Sequence, residues 1–360
     1  MKDFYEIDFL GIESKKSGDA ICVRYEEKNN PKMIHVVDGG FQKTGGKVVD
    51  HINKYYNNPN FIDHVVVTHP DGDHAGGLRS VLESFSVGKL WMLRPWQYAD
   101  ELIGRFTRFT NVNNLKKRLR KIYPNIDELE QIAIERGISI NEPFQRARIG
   151  AFIVVSPTKD HYLDMVVNSE KTPESEADDL IDHLGNVVQS LSERAINLIK
   201  ALWGQEVFSS EETSAENEMS VVQYACLSGD RILLTGDAGR RSLTLGADYL
   251  TTHCDVSLPG IDRFQVPHHG SRRNVSTAVL NDWLGSIIHQ QSNEAKFTAI
   301  VSASKEDKDH PKKAVVRAMI HRGGEVICTE GKSIRTQKNA PPREGWVPVT
   351  PLSYPKDQEE

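Results

Sequence analysis

Four apolar runs in this chain stop abruptly at aspartate, histidine and glycine. Met33-Ile34-His35-Val36-Val37 ends at Asp38-Gly39-Gly40. His64-Val65-Val66-Val67 ends at Thr68-His69-Pro70-Asp71-Gly72-Asp73-His74-Ala75-Gly76-Gly77. Arg231-Ile232-Leu233-Leu234-Thr235 ends at Gly236-Asp237-Ala238-Gly239, and Phe264-Gln265-Val266-Pro267 at His268-His269-Gly270-Ser271. Short apolar runs bounded by turn residues read as strands, and continuous ones as strands buried on both faces. Such strands belong to α/β scaffolds, which mount their chemistry on the loops at strand ends. The pattern therefore predicts an α/β fold and places the chemistry at four loops.

The rest of the chain builds a framework around these strands. Phe4–Leu10 alternates, Gly18-Asp19 turns the chain into Ala20–Tyr25, and Ser220–Leu227 forms a hairpin with Arg231–Thr235 across Ser228-Gly229-Asp230. Helices are expected near 46–56, 78–85 and 312–322, and further strands at 90–93, 150–156 and 297–302. Two blocks, at about 98–148 and 160–218, read as helical insertions within one domain spanning 1–338. The first holds ten Lys and Arg against seven acids; the second holds three against fourteen. The run Lys116–Lys121 reads either as a solvated helix face or as a basic rim on a cleft. The proline-rich, charged tail at 339–360 is expected to be poorly ordered.

Composition removes several classes. With 38% apolar and 26% charged residues, the 360-residue chain has ample material for a packed core. Cys22, Cys226, Cys254 and Cys328 are scattered, which excludes a disulfide framework or a zinc ribbon. No stretch approaches the roughly 18 apolar residues of a membrane span, so a cytoplasmic protein with no membrane partner is expected. The net charge of −6 averages over blocks of opposite sign and does not exclude an anionic substrate.

His69-Pro70-Asp71-Gly72-Asp73-His74 packs four metal-ligating side chains into six residues. Imidazole and carboxylate suit zinc, manganese and iron. In an extended loop His69 and Asp71 can face one ion, and the adjacent Asp73 and His74 another. Alone, the loop could be a turn that caps a helix, and Asp38 and Asp237 ordinary turn formers. Their company, with the His268-His269 pair, favours a metal site. The remaining histidines, His35, His51, His64, His253, His289 and His321, read as packing or surface residues.

The segment Thr68–His74 resembles the HxHxDH signature of the metallo-β-lactamase superfamily. Asp38, Asp237 and His268 fall in order at that superfamily's first, fourth and fifth motifs. More narrowly, GDAI (18–21), VVDGG (36–40), THPDGDHAGGL (68–78), LLTGD (233–237) and VPHHGS (266–271) resemble the metallo-β-lactamase-like domain of ComEC-type DNA-uptake proteins, as does the stretch from Val301-Ser302 to His310-Pro311.

The resemblance implies a four-layer αβ/βα sandwich and a water activated by one or two divalent ions, zinc or manganese. His69 and Asp71 would hold the first ion, Asp73, His74 and His268 the second, with Asp237 bridging and Asp38 supporting the loop. Asp73 and Asp237 would thus also stand at the catalytic centre. His269, His310 or Lys305 would contact a phosphate or protonate the leaving group. Asp71 stands where most of the superfamily has histidine, which tilts the choice toward a harder ion such as manganese or magnesium. A third-motif histidine is missing; between the metal loop and Asp237 the alternatives are His161 and His183, with His161 the better placed. The expected function is a metal-dependent hydrolase, foremost a phosphodiesterase or nuclease acting on nucleic acid or a nucleotide. A hydrolase of a small ester, lactone or thioester is the second reading. A binding or regulatory module with a degenerate site is the third.

Overall fold

The structure is a computed structural model and describes residues 3–12, 15–28, 30–106, 109–172 and 198–359. In the first sheet β1 (Phe4–Phe9), β2 (Ala20–Glu26) and β3 (Met33–Gly39) form an antiparallel meander. The strands β4 (Phe61–Val66), β5 (Ser86–Trp91) and β6 (Ser139–Asn141) extend it in parallel. The second sheet repeats this plan. It contains β7 (Arg148–Ile149) and β8 (Phe152–Ser156), and, beyond the separate strand β9 (Leu198–Lys200), β10 (Val222–Leu227) and β11 (Asp230–Leu234). These are antiparallel in the order β7-β8-β10-β11, followed by parallel β12 (Arg263–Gln265), β13 (Phe297–Val301) and β14 (Gly324–Cys328). Strand β15 (Ile334–Lys338) returns to flank β1, and β16 (Asp357–Glu359) pairs with β9. The β10–β11 hairpin closes on Ser228 and Gly229, both at positive φ, which gives the two-residue turn the twist its strands need.

Side-chain alternation sorts the strands into layers. Ile7, Phe9, Val37, Val66, Val154, Ile232, Leu234 and Ile300 fill the space between the two sheets. On the outer face of the first sheet, Val36, Val65 and Leu90 meet Val48, Ile52, Leu78 and Val81 of the helices Gly45–Tyr55 and Leu78–Ser84. On the outer face of the second, Leu233, Phe264 and Ala299 meet Leu243, Leu250, Trp283 and Met319 of the helices Arg240–His253, Thr277–Leu284 and Lys313–His321. The continuous apolar runs require this, because each strand is covered on both faces. The result is the four-layer αβ/βα sandwich expected.

The block at 98–148 is largely helical. The helices Val112–Ile122 and Pro124–Glu135 press Leu115, Leu119, Ile126 and Leu129 into the core of the first sheet, and β6 joins that sheet's edge. Within the Lys116–Lys121 run, Lys116 pairs with Asp100, and Arg120 with Asp127 and Glu130 while lying 4.5 Å from the Trp96 ring. In the second block the helix Lys159–Asn168 is described; His183 and the acidic run 174–179 lie outside the described residues.

The tail departs from expectation. Arg343 donates to both oxygens of Asp8 at 2.8 Å and to Glu6 at 2.9 Å. Leu352 N donates to Val326 O, and Glu359 accepts from the free amides of Lys313 and Ala314 at the start of a helix. Composition predicts disorder from proline and charge, but the counter-charges lie on distant strands that composition cannot see. Among the described residues no helix is long and apolar enough to cross a membrane.

Candidate metal centre

The ends of β3, β4, β11 and β12 converge at one edge of the sandwich, where the two sheets face each other. Asp38 terminates β3 with φ 57°, and its carboxylate accepts from Thr68 N at 2.9 Å and Thr68 Oγ1 at 2.5 Å. It also lies 2.8 Å from His74 Nδ1, so one side chain ties both ends of the His69–His74 loop. The loop packs closely against the Asp38-Gly39 turn: Gly39 N donates to His74 O, and a Cβ on Gly77 would collide with the Gly39 carbonyl. His268 and His269 follow β12 at φ 46° and 56°. Consecutive non-glycine residues in the left-handed region are costly and persist only where surrounding contacts enforce them.

Three overlapping groups form at this point, His69–His74–Asp237, Asp73–His74–His269 and Asp19–Asp237–His269. Within each group the ligand atoms lie within 4.8 Å of one another. His74 Nε2 is 3.3 Å from Asp237 Oδ1, His69 Nε2 is 3.8 Å from Asp237 Oδ2, and His269 Nε2 is 3.8 Å from Asp73 Oδ2. His69 and His74 are fully buried, and Asp237 and His269 nearly so; Asp71, Asp73 and His268 are about 30% exposed and form the open side. Asp237 is fixed through its backbone, with Ser220 Oγ accepting from its N–H and Asn274 donating to its carbonyl.

Hydrogen bonds set the histidine tautomers. Thr68 Oγ1 spends its proton on Asp38, so it accepts from His69 Nδ1 at 3.1 Å. His74 Nδ1 donates to Asp38, and His269 Nδ1 to Ser302 O at 2.8 Å. All three rings therefore turn Nε2 inward, the atom that metal-binding imidazoles offer. His268 is the opposite case. The Asn217 amide donates to its Nδ1 at 2.6 Å, so its proton sits on Nε2, 3.9 Å from Asp237 Oδ2.

Charge follows the same division. Burial pushes the Asp237 carboxyl up, but His74, His268 and His269 outweigh it and hold it well below the usual range. Burial opposes charge on His74, yet Asp237 and Asp38 hold its pKa well above the ordinary value; for His269 burial is overcome by Asp237, Asp73 and Asp19, which raise it to about 9. Burial lowers His268 to about 4 against the pull of Asp237. His268 thus stays neutral, while His74 and His269 hold on Nε2 a proton that a bound cation would displace. His69 Nε2, His74 Nε2, His269 Nε2, Asp237 Oδ1 and Asp19 Oδ1 are buried without a hydrogen-bond partner. Buried polar atoms are nearly always satisfied, and this convergent set of imidazole and carboxylate donors fits a divalent cation.

Other residues named from sequence lie around this core. Asp71 Oδ2 is 4.0 Å from His69 Nε2, and its Oδ1 receives Lys171 Nζ at 2.6 Å. The His310 ring stacks 5.8 Å from His268 at the rim, with Nδ1 3.3 Å from Asp307. Lys305 is exposed. His161 is buried but hydrogen-bonds Ser242 Oγ at 3.1 Å and lies 3.7 Å from Glu218, outside all three groups. Sequence reasoning missed Asp19 and Asn217; the GDAI string contained the first, while the second follows an acidic stretch with no local signal.

Residues 35–131 match the family model for the Metallo-beta-lactamase superfamily, from β3 through the metal loop to the helix Pro124–Glu135. No curated protein matches significantly. Among solved structures, the chain is similar to a mutant of the CmlA beta-hydroxylase, at 11% identity and TM-score 0.35 over 94% of this chain and 54% of that one. The chain thus spans about half the length of that protein. It is also similar to a metallo-beta-lactamase from Cronobacter sakazakii (Enterobacter sakazakii), at 11% identity and TM-score 0.29 over 81% and 76% of the two chains. A third is the metallo-beta-lactamase from Hirschia baltica, at 13% identity and TM-score 0.23 over 65% and 66%. The matched stretch, residues 35–131, carries the strand ends and the loop of His69, Asp73 and His74, and it is over this stretch that the chain resembles the metallo-β-lactamase superfamily.

Proposed function

We propose that the protein is a divalent-metal-dependent hydrolase that cleaves phosphodiester bonds in nucleic acid or a nucleotide. The observation that carries this reading is the convergence of buried, unpartnered Nε2 and carboxylate atoms from His69, His74, His269 and Asp237. A divalent ion held there lowers the pKa of a bound water and offsets charge developing on the substrate oxygens. Asp73 and Asp71 add carboxylates on the open side, and a carboxylate-rich set favours hard ions that also bind phosphate oxygens.

The chain's own residues supply the remaining roles. Asp38 holds His74 in its inward tautomer, and Thr68 does the same for His69. His268, kept neutral with its proton on Nε2 by Asn217, presents an N–H to a phosphoryl oxygen. His310, oriented by Asp307, stands at the rim as the proton donor. Water adds to phosphorus as the Asp73 carboxylate takes its proton, the ester P–O bond breaks, and the leaving oxygen takes a proton from His310; solvent then removes the proton from Asp73 and restores the one on His310.

The test is turnover of bis(p-nitrophenyl) phosphate, single-stranded DNA, RNA and p-nitrophenyl acetate by chelator-stripped protein reloaded with manganese or zinc. Phosphodiester cleavage that needs metal and disappears in His69→Ala and Asp237→Ala is the expected result. Activity confined to the acetate ester replaces the phosphodiester reading. Absence of turnover on every substrate with either metal overturns the enzyme reading.

A further inference from the structure

We infer that Asp19 is a ligand of the ion in this centre, giving it a third carboxylate beside Asp73 and Asp237 and the imidazoles of His74 and His269. This rests on the reading of the cluster as a divalent-ion site and specifies its donor set. Asp19 lies at the corner before β2, in the string Gly18-Asp19-Ala20-Ile21. The residue is 1% exposed. Its Oδ1 has no hydrogen-bond partner, and it groups with Asp237 and His269 as a ligand set.

The surroundings hold this carboxylate in place. Gln265 Nε2 donates to Asp19 Oδ2 at 2.9 Å, and Gln265 is itself oriented by Thr235 N and Gly236 N, which donate to its Oε1. The Asp19 backbone is pinned on both sides: its N–H donates to Asp73 O at 3.1 Å and its carbonyl accepts from Gly40 N at 2.7 Å. Gly18 permits that approach, because a Cβ there would sit 2.7 Å from the Asp73 carbonyl oxygen. One oxygen is thus anchored, and the other faces a buried cluster that already holds Asp237 and His269. Two buried carboxylates this close need positive charge beside them, which an ion supplies once the neighbouring imidazoles give up their protons to bind it. A carboxylate placed there only to orient Gln265 would gain nothing from the bare oxygen.

Three carboxylates and two imidazoles exceed the four ligands typical of zinc and suit manganese, which takes more oxygen donors. The first ion position, with His69 and an Asp71 already paired with Lys171, is poorer by comparison, since His161 does not reach it. The inference therefore also ranks the two positions: the one that includes Asp19 fills first.

The experiment is titration of chelator-stripped full-length protein with manganese alone and with zinc alone, reading bound metal and the metal-induced rise in melting temperature. It compares wild type, Asp19→Asn and Asp19→Ser; the serine still offers Gln265 an acceptor. The expected result is that both variants lose manganese affinity by about 10²-fold or more, beyond what loss of an outer-shell partner costs. Zinc affinity falls less, so the preference shifts toward zinc. Metal-free Asp19→Asn melts at or above the wild-type temperature, because the amide relieves an unpaired buried charge. A purely structural role predicts the reverse: a lower metal-free melting temperature with both affinities unchanged, and that result overturns the inference. Wild-type protein that binds neither metal overturns the ion-site reading itself.

Discussion

Two of the buried acidic clusters among the described residues are finished in opposite ways. Under the first sheet, Glu6 and Asp8 are fully buried on the polar face of β1. Arg24 and Arg335 close on Glu6, Arg343 spans Glu6 and Asp8, and Tyr56 and His51 reach Asp8 at 2.7 and 3.1 Å. Every carboxylate oxygen there has a partner from the chain itself. At the strand ends Asp19 and Asp237 each keep a bare oxygen, and His69, His74 and His269 each keep a bare nitrogen. A buried charge must be paired; the first cluster is paired by fixed cations of the chain, whereas the second is built of imidazole and carboxylate donors that converge and fit an added cation. An orphaned atom alone is not diagnostic: both His35 nitrogens are unpartnered, yet burial keeps that ring neutral and it packs 5.1 Å from Phe152. What distinguishes the centre is that its orphans converge.

This contrast can be broken first at the closed cluster. Arg343→Ala leaves Glu6 and Asp8 buried and under-compensated, and is expected to destabilise the protein by about 3–5 kcal/mol. Urea unfolding measures the loss, while turnover per folded molecule stays at the wild-type level. At the open cluster the effects invert. Asp237→Ala lowers metal-dependent turnover by more than about 10²-fold with little loss of metal-free stability, measured by kinetics and thermal melting of the same preparation.

A smaller effect is expected from Asp38→Asn, which removes the anion that orients both His74 and Thr68. Metal affinity should fall about 10–100-fold, read by competition with a chromogenic chelator, with no change in the substrate's own metal dependence.

Burial raises the Asp8 pKa, but His51 and Arg343 outweigh it and hold the carboxyl below its ordinary value. A depressed carboxylate stabilises above its unfolded pKa of about 3.9, and that contribution fades as pH falls through the folded value. The stability gap between wild type and Arg343→Ala should therefore narrow below about pH 4. At the open cluster, acid acts earlier and on a different quantity, since imidazoles must lose their protons to bind an ion. Calorimetry in buffers of different ionisation enthalpy should show proton release on metal binding, and affinity that weakens as pH drops.

Much of the fold and part of the centre were legible in the sequence. Continuous apolar runs such as His64–Val67 announce strands covered on both faces, and the Ser228-Gly229 turn announces its hairpin, because both are local. The grouping of His69, Asp73, His74 and Asp237 was visible because each lies at the end of such a run. The roles within the adjacent pair His268-His269 were not. Spacing cannot tell neighbours apart, and the difference rests on Asn217 and Ser302, which are 51 and 33 residues distant. The tail misled for a related reason, since Arg343 meets its partners 335 and 337 residues away.

By itself the sequence determined which side chains end which strands, because hydrophobic period and turn chemistry act over a few residues. Only the tertiary structure decided which of those side chains turn a ligand atom inward, which are capped by another residue, and that Asp19 stands among them. Those outcomes depend on hydrogen bonds and desolvation between segments tens to hundreds of residues apart, where no local pattern reaches.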